Sequence, residues 1–402
     1  MVELERPAAP PDRRKERERT RHWQRALRIT TLALVLATAG ALVALWPGSF
    51  ELKPAPGSPT GDPLRGEVTA VRAVRCPSPQ QKRCRIATAR LENGRPARFQ
   101  ADAAGQNELV AVGDEVLLYE NEVPPGADPA ATPAYSFAGF ERRAPILWLA
   151  LAFAAMVVVL GRWRGVRSLV GLAISLLVVA KFIVPAILSG RDAVAVAFVG
   201  ALAIMLVTIL LTHGTGAKSL AAVLGTTLSL VLTIALAEIF TGAANLSGFA
   251  SDQATLLTVG QEQLSFRGMI VAGMVIGALG VLDDVTVSQA STVMALRAAN
   301  PAQRFTELYR GALAVGRDHV AATVNTLVLA YVGAALPTVL LFSVVGMSAG
   351  DALNTESIAQ DVVATLVGSI GLIAAVPVTT ALAALFAIRL EAQRAEPAHR
   401  HA

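Results

Sequence analysis

Two polar runs interrupt long apolar stretches of this chain, and they hold the residues able to do chemistry. The first is Asp283-Asp284-Val285-Thr286-Val287-Ser288-Gln289, which follows the glycine-rich apolar stretch 268–282 (GMIVAGMVIGALGVL). The second is Gly316-Arg317-Asp318-His319-Val320-Ala321-Ala322-Thr323-Val324-Asn325-Thr326. Ionisable groups at membrane depth are costly, and they generally face a bundle interior or a water cavity on an ion or substrate path. On a helix, residues three and four apart share a face. His319, Thr323 and Thr326 therefore line one stripe, and Asp318, Ala322 and Asn325 the next. With both runs at one membrane face, Asp283, Asp284, Thr286, Gln289, Asp318, His319, Thr323 and Asn325 are expected to line a shared pocket.

Carboxylates, hydroxyls and amides suit a hard cation with oxygen ligands. An Asp–His pair suits proton relay. A transition metal or zinc would draw on Asp283, Asp284, Asp318, His319 and His213, the last from Leu211-Thr212-His213-Gly214 at the end of an apolar stretch. The implied cofactor is thus a divalent metal or a coupling cation. The competing reading is a self-satisfied cluster with Arg317 paired to an aspartate. Lys181 and Glu238, on neighbouring apolar segments, read as a structural ion pair.

These groups must be positioned by membrane helices. The chain has 402 residues, 53% hydrophobic and 16% charged, a more apolar make-up than ordinary soluble domains have. A spanning helix needs about 20 apolar residues, and that rule gives about eight segments: residues 27–46, 145–160, 168–188, 192–211, 219–240, 268–282, 322–345 and 362–388. The first reads as an uncleaved anchor, not a signal peptide, because its basic flank is extended and no small-x-small site precedes Pro47. The formal charge of +5 is concentrated in the basic tail 13–28, which argues against a nucleic-acid surface. Arg162, Arg164, Arg167, Lys218, Arg297, Arg304, Arg310, Arg317, Arg389, Arg394 and Arg400 alternate with sparser loops, so both termini are expected inside a bacterial cytoplasmic membrane. The glycines of Gly273-Met274-Val275-Ile276-Gly277 permit close packing within the chain, a hinge or a homo-oligomer.

The segment 47–143 is then an extracytoplasmic domain with its linker. Residues 67–74, 85–91, 98–101 and 115–119 read as short strands punctuated by Gly94, Gly105 and Gly113, with Val68 and Ala70 on one face. A small β-barrel or sandwich follows. Cys76 and Cys84 read as a structural disulfide of this outer domain. The segment 123–134 is a Pro/Ala-rich linker. The domain plan is a basic cytoplasmic tail (1–26), an anchor (27–46), the outer domain (47–143), the membrane domain (144–389) and a short cytoplasmic tail (390–402). The chain contains no Walker A, HExxH, GxSxG or βαβ-opening GxGxxG sequence, which argues against nucleotide-driven catalysis within it.

Residues 279–291 (LGVLDDVTVSQAS), 315–329 (VGRDHVAATVNTLVL) with Ala330-Tyr331, 211–214 (LTHG) and 365–377 (TLVGSIGLIAAVP) closely resemble the YibE/F-like family of bacterial multipass membrane proteins. Residues 135–142 and 161–165 (GRWRG) are similar too, with Gly139 standing where relatives often carry an acid. The resemblance covers most of 135–389. It implies the membrane architecture and adds no activity.

The expected fold is an all-α polytopic membrane bundle with a small β-rich extracytoplasmic domain. The leading functional reading is a transporter or permease for a small solute or ion, embedded in a lipid bilayer. A metal-dependent membrane enzyme acting on a lipid or its headgroup is the second. An assembly or signalling protein acting through its outer domain is the third.

Overall fold

A computed structural model describes residues 13–48, 61–74, 84–101, 110–121, 134–249 and 264–391. Cys76, nearly all of the 123–134 linker and most of the two terminal tails lie outside the described residues. The chain divides into two compact units, Pro54–Leu160 and a second made of Met1–Lys53 with Gly161–Ala402.

In the first unit, five antiparallel strands form one sheet: β1 (Leu64–Val74), β2 (Cys84–Leu91), β3 (Pro96–Gln100), β4 (Glu115–Glu120) and β5 (Tyr135–Phe140), in the order β3-β2-β1-β4-β5. Period-two alternation sends Ala87, Ala89 and Leu91 inward from β2, Ala97 and Phe99 from β3, and Val116 and Leu118 from β4. The sheet curls, because Phe99 on one edge strand stacks on Phe137 of the other at 5.8 Å between ring centroids. The four expected strands are all present. The phase of β1 differs: a bulge between Val68 and Ala70 inserts a residue, so Val71, not Ala70, continues the buried face begun by Val68. Strand β5 was not anticipated. Cys84 opens β2 buried and disulfide-bonded.

The rest of the described chain is helical: α1 (Arg13–Ala44), α2 (Arg143–Val178), a π-helical turn (Val179–Ile183), α3 (Val184–Leu188), α4 (Ala193–His213), α5 (Ala217–Ala243), α6 (Phe266–Ala299), α7 (Phe305–Val344), the short α8 (Ala349–Leu353) and α9 (Glu356–Glu391). Seven helical stretches among the described residues are long and apolar enough to cross a membrane, the make-up of a multi-pass membrane protein. Eight segments were expected. The difference arises because 145–160 and 168–188 lie on one stretch, Arg143–Leu188, of 46 residues. At ~1.5 Å of rise per residue its 46 residues sum to about 70 Å of helix path, more than twice a hydrocarbon core of about 30 Å. Its backbone breaks at Arg162 (φ 51°, ψ −133°).

Local signals set the helix ends. Asp192 caps α4, accepting from the Ala195 N–H at 2.7 Å, and Gly214 ends it at φ 75°, where a Cβ would be strained. Ser265 caps α6 through the Gly268 N–H. The hydrophilic segment between Val285 and Asp318 is helix on both sides of a short turn, in keeping with the helical character of its sequence. Its Thr, Ser, Gln and Ala residues do not break a helix, and the stop waits for Asn300-Pro301.

Helices α5 and α9 are antiparallel and unusually close. A Cβ on Gly225 of α5 would meet Thr379 of α9, 2.9 Å from its Cβ and 3.2 Å from its Cα. A Cβ on Gly371 of α9 would in turn strike the Thr233 hydroxyl of α5. Each helix thus offers a glycine socket to a threonine of the other. Helix α6 packs on this pair, and α4 and α7 flank α6. Beyond Val320, α7 leaves Leu329, Val332, Leu336, Leu340 and Val344 at least half exposed, which suits hydrocarbon as the surrounding solvent.

Gly225→Ala should destabilise the protein by about 1–3 kcal/mol through overpacking, although alanine favours helix. Gly273→Ala, where nothing lies within 4 Å, should be neutral or stabilising by up to about 1 kcal/mol. Thermal unfolding in detergent reads both signs.

Candidate functional site

Helices α4 and α6 run parallel and in step. A Cβ on Gly268 would lie 3.4 Å from the Ala193 Cβ, and further along Thr208 Oγ1 donates to Asp283 Oδ2 at 3.1 Å. Both pairs are 75 residues apart in sequence. This register places Asp283, largely hidden, against the last two turns of α4. The Thr208 hydroxyl also lies 2.9 Å from the Ile204 carbonyl and 3.1 Å from that of Met205. One proton cannot serve three acceptors fully. The second carboxylate oxygen, Oδ1, is buried with no hydrogen-bond partner.

Steps of three along α6 carry the polar face from helix to helix. Thr286 Oγ1 shares a 2.6 Å hydrogen bond with Thr226 Oγ1 of α5. Gln289 Nε2 donates to the Ala312 carbonyl of α7 at 2.8 Å and to Thr380 Oγ1 of α9 at 2.7 Å. Gly316 of α7 makes room for the glutamine, since a Cβ there would sit 2.8 Å from Gln289 Oε1 and 2.6 Å from a Val376 methyl. Asp283, Thr286 and Gln289 therefore join α6 to four other helices. Thr286 and Gln289 are buried, with the Thr286 hydroxyl and the Gln289 amide nitrogen engaged. Asp283 alone of the three keeps a fully buried polar atom without a partner.

The other sequence-predicted residues lie differently. Asp284 is exposed on α6, and Asp318, His319 and Asn325 are exposed on α7. Thr323 returns its hydroxyl to the His319 carbonyl at 2.8 Å within the helix. Among the described residues no hydrogen bond or ion pair joins Asp318 or His319 to α6, and no group of three or more His, Cys, Asp and Glu side chains converges. The anticipated metal set of Asp283, Asp284, Asp318, His319 and His213 is thus not drawn together. Glu238 pairs with Arg267 at 3.9 Å, not with Lys181, which is exposed in the π-helical turn.

His213 instead connects toward Asp283 along α4. Thr212 Oγ1 donates to the Thr208 carbonyl at 2.6 Å and meets His213 Nδ1 at 2.7 Å. With the hydroxyl proton given to the carbonyl, Nδ1 carries the hydrogen between them and Nε2 is the nitrogen left to exchange a proton. Polar groups thus step from a buried carboxylate to an exposed imidazole at the helix end.

Sequence reasoning missed Thr208, Thr226 and Thr380. Thr208 did carry a signal, as the first polar side chain in the apolar run of α4. Thr226 and Thr380 carried none, because which threonines face inward depends on packing.

A model of the YibE/F-like protein family matches residues 149–389, which span every helix of this site. No match was found among curated proteins or among solved structures.

Gln289→Leu removes the link from α6 to α7 and α9, and should lower stability by about 1–2 kcal/mol, the scale of an interhelical hydrogen bond in a membrane. Thermal unfolding of the purified variant measures this.

Proposed function

The chain belongs to the YibE/F-like protein family, and from that premise we propose that it is a transporter or permease for a small solute or ion in the bacterial cytoplasmic membrane. The observation that carries this reading is Asp283, a carboxylate held inside the bundle with one oxygen on Thr208 and the other unpartnered. A buried, unpaired carboxylate is costly for structure alone. At membrane depth it is the group that takes a proton or a cation from a path. In this reading Thr208 holds and orients the carboxylate, Oδ1 takes the ion, and Thr212 and His213 connect it to the cytoplasmic end of α4. A coupling cation fits this donor set better than a bound divalent metal, because the structure gathers one carboxylate with hydroxyls and not several acids or imidazoles.

Both halves of Arg143–Leu188 cross the membrane in this reading, with the basic residues around Arg162 inside. Both termini are then cytoplasmic and the β-rich unit is outside. The parallel run of α4 and α6 and the antiparallel run of α5 and α9 agree with that alternation.

Proteoliposomes with an entrapped pH dye test the assignment, under an imposed membrane potential and with sodium, potassium and magnesium in separate trials. The wild type should carry protons or one of these cations. Asp283→Asn should cut the rate at least about tenfold, on the scale of losing an essential ionisable group. Equal rates in the two proteins would sink the reading. Fluorescent-reporter fusions at each terminus should glow as cytoplasmic fusions do, and a dark fusion at either end would overturn the orientation.

A further inference from the structure

The turn between α4 and α5 has a second set of polar groups, of which the transport reading uses only His213. It reads His213-Gly214-Thr215-Gly216-Ala217-Lys218-Ser219. The N-cap of α5 is Gly216, which has no side chain to cap the helix. The N–H groups of Ala217, Lys218 and Ser219 therefore open the helix without an intrahelical or side-chain acceptor. Helix N-termini attract anions through these donors and the macrodipole. Nothing lies within 4 Å of a Cβ built at Gly214 or Gly216, so the approach to those N–H groups is open.

The basic groups beside the turn supply a separate argument. Lys218 of α5 and Arg164, just past the break in α2, lie within electrostatic reach of each other and of His213. Neither cation forms an ion pair among the described residues. Like charges brought together from separate segments, without a carboxylate between them, repel one another until an anion joins them. Ser219 adds a third observation. It sits in the first turn of α5, is 2% exposed, and its hydroxyl has no partner. Helix side chains tilt toward the N-terminus, so the Ser219 Cβ leans toward these N–H groups.

We propose that the α4–α5 turn is a binding site for a phosphate group. It is formed by the N–H groups opening α5, the Lys218 ammonium, the Arg164 guanidinium and the His213 imidazole, with the Ser219 hydroxyl behind them. The bidentate guanidinium and the point charge of the ammonium are complementary ways of holding phosphate oxygens. The phosphate belongs either to an anionic lipid headgroup at the membrane surface or to a soluble phosphate. The chemistry is the same in both cases, and the site stands independently of the role of Asp283.

The test uses the full chain purified in a neutral detergent, with thermal stability as the readout. One arm titrates inorganic phosphate, with chloride at matched ionic strength as the control. The other titrates phosphatidylglycerol against phosphatidylcholine. A saturable rise in Tm in the wild type is expected in one arm, and which arm responds identifies the source. Lys218→Gln should raise the apparent Kd about tenfold, as fits losing one charge-assisted contact. Gly216→Asp keeps the proposal testable where a charge-removing variant folds poorly. The extended backbone at Gly216 accepts a side chain, and aspartate there caps the helix itself. That variant should be more stable without ligand and should lose the ligand-induced rise. Asp283→Asn should keep it. No saturable rise in either arm overturns the proposal, as does an equal rise in the wild type, Lys218→Gln and Gly216→Asp.

Discussion

Where no water enters, two helices come close only if neither puts bulk between their backbones. Helices α5 and α9 meet this condition twice, by setting Thr379 over Gly225 and Thr233 over Gly371. The exchange is reciprocal, so the helices are held at one separation along a long stretch and cannot slide without driving a hydroxyl into backbone. Thr233 keeps its hydrogen bond to the Ser229 carbonyl at 2.8 Å, so the contact leaves that hydroxyl satisfied. The groove made by this pair is the seat of α6. Thr226 and Thr380, on its two walls, are the hydroxyls that α6 reaches.

That seat explains why residues adjacent in sequence do different work. Thr286 and Gln289 face the α5–α9 pair and α7, where hydroxyls and a backbone carbonyl await them, so they fasten the bundle. Asp283 lies one turn earlier and faces α4, which offers a single threonine hydroxyl. One oxygen is therefore satisfied and the other is not. Asp284 and Ser288 point away from the bundle altogether. The chemistry of the DDVTVSQ run is partitioned by the helical repeat, not by residue type.

Some features were legible beforehand. Strands β1 to β4 were visible because alternation and glycine punctuation are local signals. The bulge after Val68 was not, since it depends on how β1 pairs with β2. Strand β5, YSFAGF, carries aromatic residues typical of strands, yet its place beside β4 arises only when the sheet assembles. The apolar segments were legible for the same local reason. Their joining into helices of 34 and 40 residues was not, because the polar runs within α6 and α7 resemble loops by hydropathy while remaining good helix formers.

By itself, the sequence determined that this is a chain of apolar helices with a small β-rich unit, and that Asp283 and its neighbours are the costly residues. Hydropathy, turn chemistry and charge are properties of residues and short windows, and they survive without knowledge of contacts. Only the tertiary structure decided that Asp283 answers to Thr208 and is connected toward His213, that Gln289 is a fastener, and that Asp318 and His319 lie exposed on α7. Those outcomes depend on the angle at which each helix presents its face. That angle is set by the close packing of small residues against side chains of other helices, a relation between distant positions that no local window contains.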